Sequence, residues 1–166
     1  TSARPEEIQK VFPRSFYNNQ FFTVAVQTGN ENPKLKEIEI TTYRSEAKYT
    51  DKRHPDEIKF AKTIEEDLSR RDFTVNAIAL GSALGSDPGL TPIDSFGGQK
   101  DLENKIIRAV GNPEQRFSED ALRMMRAVRF VVTLGKGWQF KERCSSHIPT
   151  KAWMIEEKTS QGIKKN

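Results

Sequence analysis

The rhythm of apolar and polar positions along the 166-residue chain changes near residue 112. Upstream of it, short runs rich in β-branched and aromatic residues alternate with turn formers. Gln20 to Gln27 (QFFTVAVQ) and Lys36 to Arg44 (KEIEITTYR) predict two strands, and Thr28-Gly29-Asn30-Glu31-Asn32-Pro33 between them predicts the turn of a hairpin. Thr63-Ile64-Glu65-Glu66 fits a capping box, in which the hydroxyl and the carboxylate satisfy open amides at the start of a short helix reaching Arg70 or so. Gly81 to Pro92 reads as a loop, Ile93 to Phe96 as a short strand, Gly97-Gly98 as a turn, and Ile106 to Val110 as a strand ending at Gly111. From Pro113 onward Leu122, Met125, Val128 and Val132 recur at helical spacing and make one apolar stripe. The helix starts at Ser118 or at Asn112-Pro113 and is stopped by Gly135 and Gly137. Phe140 to Ser146 and Ile148 to Lys158 predict two more short helices, and Gln161 to Asn166 a frayed tail. The pattern as a whole is α+β, a mixed first part followed by a helical one.

Composition narrows this picture. Only 35% of residues are hydrophobic, which argues against a large independent core and for a piece of something larger. No run approaches the roughly 18 to 20 apolar residues that span a bilayer, and no apolar stretch follows Thr1-Ser2-Ala3-Arg4-Pro5, so the expectation is a soluble, cytoplasmic chain with no membrane partner. Cys144 has no second cysteine to pair with, and with His54 and His147 it makes no zinc set. A net charge of +4 fits a polyanionic partner through counterion release, and fits ordinary solubility equally well.

Two clusters could carry chemistry. In Arg70-Arg71-Asp72-Phe73-Thr74-Val75-Asn76-Ala77, the guanidiniums offer planar forks for phosphate, and the Asp and Asn can accept hydrogen bonds from hydroxyls or bases. The spacing fits a solvated helix end with a local Arg–Asp pair as well. The second cluster runs from Arg116 to Phe130. On a helix, Asp120, Arg123 and Arg126 are successive i, i+3 neighbours, on the side away from Leu122, Met125 and Val128. An acceptor-only carboxylate beside a donor-only guanidinium can present a mixed edge to a nucleobase, or can simply be a surface ion pair. Cys144 is read as a small helix residue, His54 as a loop residue, and Trp138 and Trp153 as core.

With these residues in view, the chain resembles the class II tRNA nucleotidyltransferases (CCA-adding enzymes) and the related bacterial poly(A) polymerases. Arg70 to Ala77 resembles their RRDFTxNA motif, Asp94 to Leu102 their D-x-F-G-G-x-x-D-L motif, and Glu119-Asp120-Ala121-Leu122-Arg123 their E-D-x-x-R helix. Ile107 to Gly111, Arg116-Phe117, Glu39 to Arg44 and Arg53 to Asp56 continue the match in register. The resemblance implies an α+β fold, a mainly antiparallel nucleotidyltransferase head sheet over residues 1–111, incomplete at its N-terminus, and an α-helical neck beginning over residues 112–166. It implies template-independent transfer from CTP and ATP to the 3′ end of tRNA. Ala121-Leu122 after Glu119-Asp120 looks more like the CCA-adding members than the polymerases. The alternatives are poly(A) addition, or a non-catalytic nucleotide- or RNA-binding module.

The resemblance also assigns roles. Arg71, Asp72 and Asn76 would hold ribose and triphosphate, Asp120 and Arg123 would read the base edge, and Arg116, Arg126 and Arg129 would serve the triphosphate or helix packing. Asp94 to Asp101 would be a flexible joint with backbone freedom at Gly97-Gly98. No RNA-binding residue is assigned. Glu39 would be a catalytic carboxylate and a ligand of Mg2+. The family's Asp-x-Asp pair, which completes the magnesium set, would lie just before Thr1, either in the same polypeptide or in a separate chain. Lacking it, the 166 residues would bind magnesium weakly and would not catalyse transfer alone.

Overall fold

The hairpin predicted around Gly29 forms, and it lies at one side of a three-stranded antiparallel sheet. β1 (Ser15–Asn18), β2 (Thr23–Gln27) and β3 (Glu37–Thr41) are ordered 1-2-3, with Thr23 opposite Thr41 and Gln27 opposite Glu37. The structure, a computed structural model, describes residues 1–19, 21–47, 57–82, 90–139 and 152–165. Its contacts divide into two compact units, Thr1–Glu46 with Glu57–Asp67, and Ala47–Asp56 with Leu68–Asn166.

In the first unit, α1 (Pro5–Val11) begins with proline at its first position, where the missing N–H costs nothing, and the Glu7 carboxylate accepts from the Arg4 amide at 2.6 Å. Its Ile8 packs with Val24, Val26 and Ile40 into a small core. Side chains alternate across a strand, so Glu39, opposite Ala25, projects from the face away from Val24 and Val26. It is exposed there. β4 (Arg44–Ala47) pairs with β5 (Glu57–Phe60). Phe22 holds a left-handed backbone at φ 53° and stacks on Phe60 at 4.2 Å between ring centres. The predicted box opens α2 (Ile64–Ser69): the Thr63 hydroxyl accepts from the Glu66 amide at 3.3 Å, and the Glu66 carboxylate reaches the Lys62 amide at 2.9 Å.

In the second unit the core is Phe73, Ile107, Ala109, Phe117 and Ala127, with Trp153, Ile155, Phe130 and Leu134 packed against it. Its elements are β6 (Ala79–Ser82), β7 (Leu90–Ile93), α3 (Gly98–Asn104), β8 (Ile106–Ile107), α4 (Pro113–Glu119), α5 (Leu122–Gln139), β9 (Met154–Ile155) and α6 (Glu157–Lys165). β6 and β7 are antiparallel, and β8 and β9 parallel. Of the two starts the sequence offers, Asn112 rather than Ser118 opens α4, its side chain accepting from the Glu114 amide at 2.9 Å.

Several expectations are corrected. The described ends of the segment from Gly81 to Pro92 are strands, and β7 stops at Ile93 because Asp94 turns to cap α3. The helix from Pro113 is interrupted at Asp120, whose backbone is extended, and it resumes at Leu122. α5 runs through Gly135 and Gly137, since a helical glycine costs only about 1 kcal/mol relative to alanine. The apolar stripe points outward: Leu122, Met125, Val128 and Val132 are 46–69% exposed. The inward face carries Arg123 and Ala127 because the guanidiniums find carboxylate and carbonyl partners inside the unit. Of the helix expected over Ile148 to Lys158, Met154–Ile155 is strand and α6 begins at Glu157. The tail is not frayed, for Thr159 and Gly162 are buried and a Cβ on Gly162 would meet Pro113 at 2.9 Å and Phe117 at 3.2 Å. The matches at Arg53 to Asp56, the readings of His54, Cys144 and His147, the helix from Phe140 to Ser146, and the side chain of Trp138 lie outside the described residues.

Candidate nucleotide site

The segment Asp72-Phe73-Thr74 lies antiparallel to Arg108-Ala109-Val110. The Thr74 amide donates to the Arg108 carbonyl at 2.9 Å, and the Val110 amide to the Asp72 carbonyl at 3.1 Å. Phe73 drops into the core between them, fully buried. A 3-10 turn over Thr74–Asn76 then folds the chain back, and it brings the Asn76 side chain onto Asp72. The Asp72 carboxylate accepts from the Phe73 amide at 2.9 Å, from Asn76 Nδ2 at 3.1 Å and from Arg126 Nε at 2.6 Å.

α5 presents its cations to this turn. Arg126 rests over the Phe130 ring at 5.3 Å, and its side chain keeps 44% exposure, so a guanidinium already anchored by Nε still faces solvent. Arg123 is buried, donating to the Arg70 carbonyl at 3.1 Å and pairing with Glu119 at 3.4 Å and more loosely with Asp120 at 3.9 Å. Asp120 gives one oxygen to the Leu122 amide at 2.9 Å, which fixes its carboxylate at the break between α4 and α5. The chemical result is a row of acceptor and donor groups held by local anchors: Asp120, Arg123, Arg126, Asp72 and Asn76. Such a row suits a ligand with a mixed-polarity edge and an anionic end.

The remaining expected residues fall elsewhere. Arg71 donates to the Asn76 carbonyl at 3.0 Å and is exposed. Arg129 is exposed one turn beyond Arg126 on α5. Arg116 is largely enclosed, tied to the Ser69 carbonyl at 3.3 Å and to Glu119 at 3.3 Å, which makes it a brace within the second unit. Glu39 stands in the other unit. Among the described residues no three of His, Cys, Asp or Glu gather to hold a metal ion. Glu39 alone does not fit a two-ion magnesium site.

Sequence reasoning missed a polar network that joins buried Asp101 and Thr74 to the half-exposed Arg108. Asp101, 4% exposed, accepts from the Thr74 hydroxyl at 2.7 Å and from Arg108 at 2.9 and 3.2 Å. Arg108 also reaches Glu156 at 3.3 Å; Glu156 accepts from the amide and hydroxyl of Thr159, and the Thr159 oxygen accepts from the Ala109 amide at 3.0 Å. The hydrogen bond to Asp101, outweighing desolvation, makes Arg108 hold its proton more tightly than usual. The glycine pair is used for backbone conformation and close approach. Gly97 is left-handed at φ 74°, and a Cβ on Gly98 would collide with the Thr74 carbonyl and lie 2.8 Å from Ile78. The one available signal was the acid of the D-x-F-G-G-x-x-D-L motif, whose partners are too distant in sequence to pair by spacing.

The fold is that of a nucleotidyltransferase head domain. Residues 1–108 match the model of the Poly A polymerase head domain, and the chain belongs to that family. Among its relatives is the CCA-adding enzyme of Lactobacillus helveticus, 44% identical over 167 residues that cover 100% of this chain and 35% of that enzyme. The crystal structure of the Bacillus stearothermophilus CCA-adding enzyme in complex with CTP superposes with a TM-score of 0.72 at 37% identity, covering 99% of this chain and 33% of the other. A tRNA nucleotidyltransferase complexed with a primer tRNA and an incoming ATP analog gives a TM-score of 0.65 at 25% identity, with 98% and 38% covered. The chain thus spans about a third of the length of these relatives. Among its described residues no helix is long and apolar enough to cross a membrane.

Proposed function

We propose that the chain is the nucleotide-holding and base-selecting part of a template-independent nucleotidyltransferase that transfers from CTP and ATP to the 3′ end of tRNA, in the cytoplasm. The observation that carries the reading is the row of Asp72, Asn76 and Arg126 beside Asp120 and Arg123. Two sequence motifs about fifty positions apart contribute to it. In this reading residues 1–111 are the head and residues 112–166 the start of the neck. Arg126, with Arg71 and Arg129 nearby in sequence on the same two motifs, meets the triphosphate, whose charge suits forked guanidiniums. Asp72 and Asn76 face the ribose. Asp120 accepts from, and Arg123 donates to, the Watson–Crick edge of the incoming base. A carboxylate and a guanidinium fixed by their own anchors select without a nucleic-acid template, because a base of the wrong pattern leaves a buried partner unmatched. Glu39 is one carboxylate of the reaction centre, and the family's use of Mg2+ belongs to the complete enzyme.

The test is a calorimetric titration of the chain with CTP, ATP, GTP and UTP. The reading expects CTP and ATP to bind more tightly than GTP and UTP. Arg123→Ala should weaken CTP and ATP by about 1 to 3 kcal/mol and erase the preference. Equal binding of all four, or a preference untouched by Arg123→Ala, contradicts base selection here.

A further inference from the structure

The network around Asp101 has no part in these roles, yet Asp101 is one of three buried carboxylates among the described residues. Asp101 is costly to bury, because a charge taken out of water must be repaid by several good hydrogen bonds. It has them in two Arg108 donors and the Thr74 hydroxyl, itself 2% exposed. Thr74 sits midway between Asp72 and Asn76, and it is held from every side. Its amide is on Arg108 at 2.9 Å, its carbonyl accepts from Ala77 at 2.9 Å, and Gly98 presses against that carbonyl so closely that no side chain fits. The two motifs are therefore locked together at one residue.

We propose that Asp101 is a positioning residue for nucleotide binding: through the Thr74 hydroxyl it sets the turn that places Asp72 and Asn76 and, through Asp72, Arg126. Nothing in the network needs a ligand to be assembled. The side-chain partners of Asp101 are Thr74 and Arg108, so its proposed effect on a ligand is carried by the turn that holds Asp72 and Asn76. Arg108 extends the same brace to Glu156 and Thr159 at the base of α6, so the last helix helps hold the turn in place. The step from turn to nucleotide rests on the proposed function; the step from Asp101 to the turn does not.

The test uses two reporters in the nitrogen-15 spectrum of the chain, the Asn76 side-chain amide and the Arg126 Nε–H, because both donate to Asp72. Thr74→Val removes the hydroxyl at nearly constant volume, and Thr74→Ser keeps it. The expected result is that Thr74→Val shifts both reporters and weakens CTP binding roughly five- to tenfold, whereas Thr74→Ser restores both. Val24→Ala, a core change in the other unit, should lower stability and leave both readouts in place. Asp101→Asn should act like Thr74→Val, and if it does not fold, the threonine pair decides the matter. Reporters and CTP affinity unmoved in Thr74→Val would overturn the proposal. If the unmodified chain binds neither CTP nor ATP, the nucleotide reading has failed, and the reporters alone then uphold or overturn the positioning role.

Discussion

Asp94 gives up both carboxylate oxygens at the start of α3, one to the Gly98 amide at 2.7 Å and the other to the Gln99 amide at 2.9 Å. Desolvation pulls this group upward, but the Gln99 and Gly98 amides and the Gln99 side chain outweigh it and hold the carboxyl below its ordinary 3.8. A depressed folded value contributes stability that is present above about pH 4 and is lost as the pH falls through the lowered value. Asp94→Asn should therefore reduce the loss of stability between pH 5 and about 2, with the urea midpoint at each pH as the check, and an unchanged acid limb would contradict it. Residues like Thr63, Glu66 and Asn112 were legible because their partners lie within four positions, whereas Asp94 reads as part of a strand in the sequence although its own partners lie within five. Asp101 was not legible, since Thr74 and Glu156 come to it only through the folded core.

At the scale of elements, local patterning finds β2, β3 and α2, reads α4 and α5 as one helix stopped too early, and misplaces several of the segments between and beyond them. The stripe of Leu122, Met125, Val128 and Val132 is a sound helix signal but names the wrong face, because periodicity says that a helix is two-sided without saying which side meets the core. Burying Arg123 on the inward side depends on Glu119 and the Arg70 carbonyl, and no periodic pattern records that partnership. The sequence reading ends a helix at Lys158 and leaves Gln161 to Asn166 frayed, whereas α6 runs on to Lys165. Thr159, just before that segment, anchors the helix: it is fully buried, and its hydroxyl satisfies the Ala109 amide while donating to Glu156. Thr159→Val leaves that amide without a partner, and should cost about 1 to 3 kcal/mol in chemical denaturation. A cost near zero would mean that α6 is not docked through this contact.

For the molecule as a whole, the α+β class and the motifs that assign it to its family could be read directly from the sequence. The arrangement of the site could not, because it joins residues 70–76 to residues 119–126 through side chains whose orientations only packing decides. The outward stripe on α5 leaves contiguous apolar surface on an otherwise charged chain, and such surface promotes association. Sedimentation at rising concentration should show self-association, and Met125→Lys with Val132→Lys should move the chain toward monomer without lowering its stability. An unaltered concentration dependence would place the association elsewhere.

The central claim is that the turn at Asp72–Asn76 and the start of α5 form one nucleotide site, and a chemical-shift map of the chain titrated with CTP tests it most directly. The account predicts saturable shifts concentrated at residues 71–76 and 119–129, including the Asn76 and Arg126 side chains. Saturable shifts confined to other residues, or none at all at millimolar CTP, would contradict it.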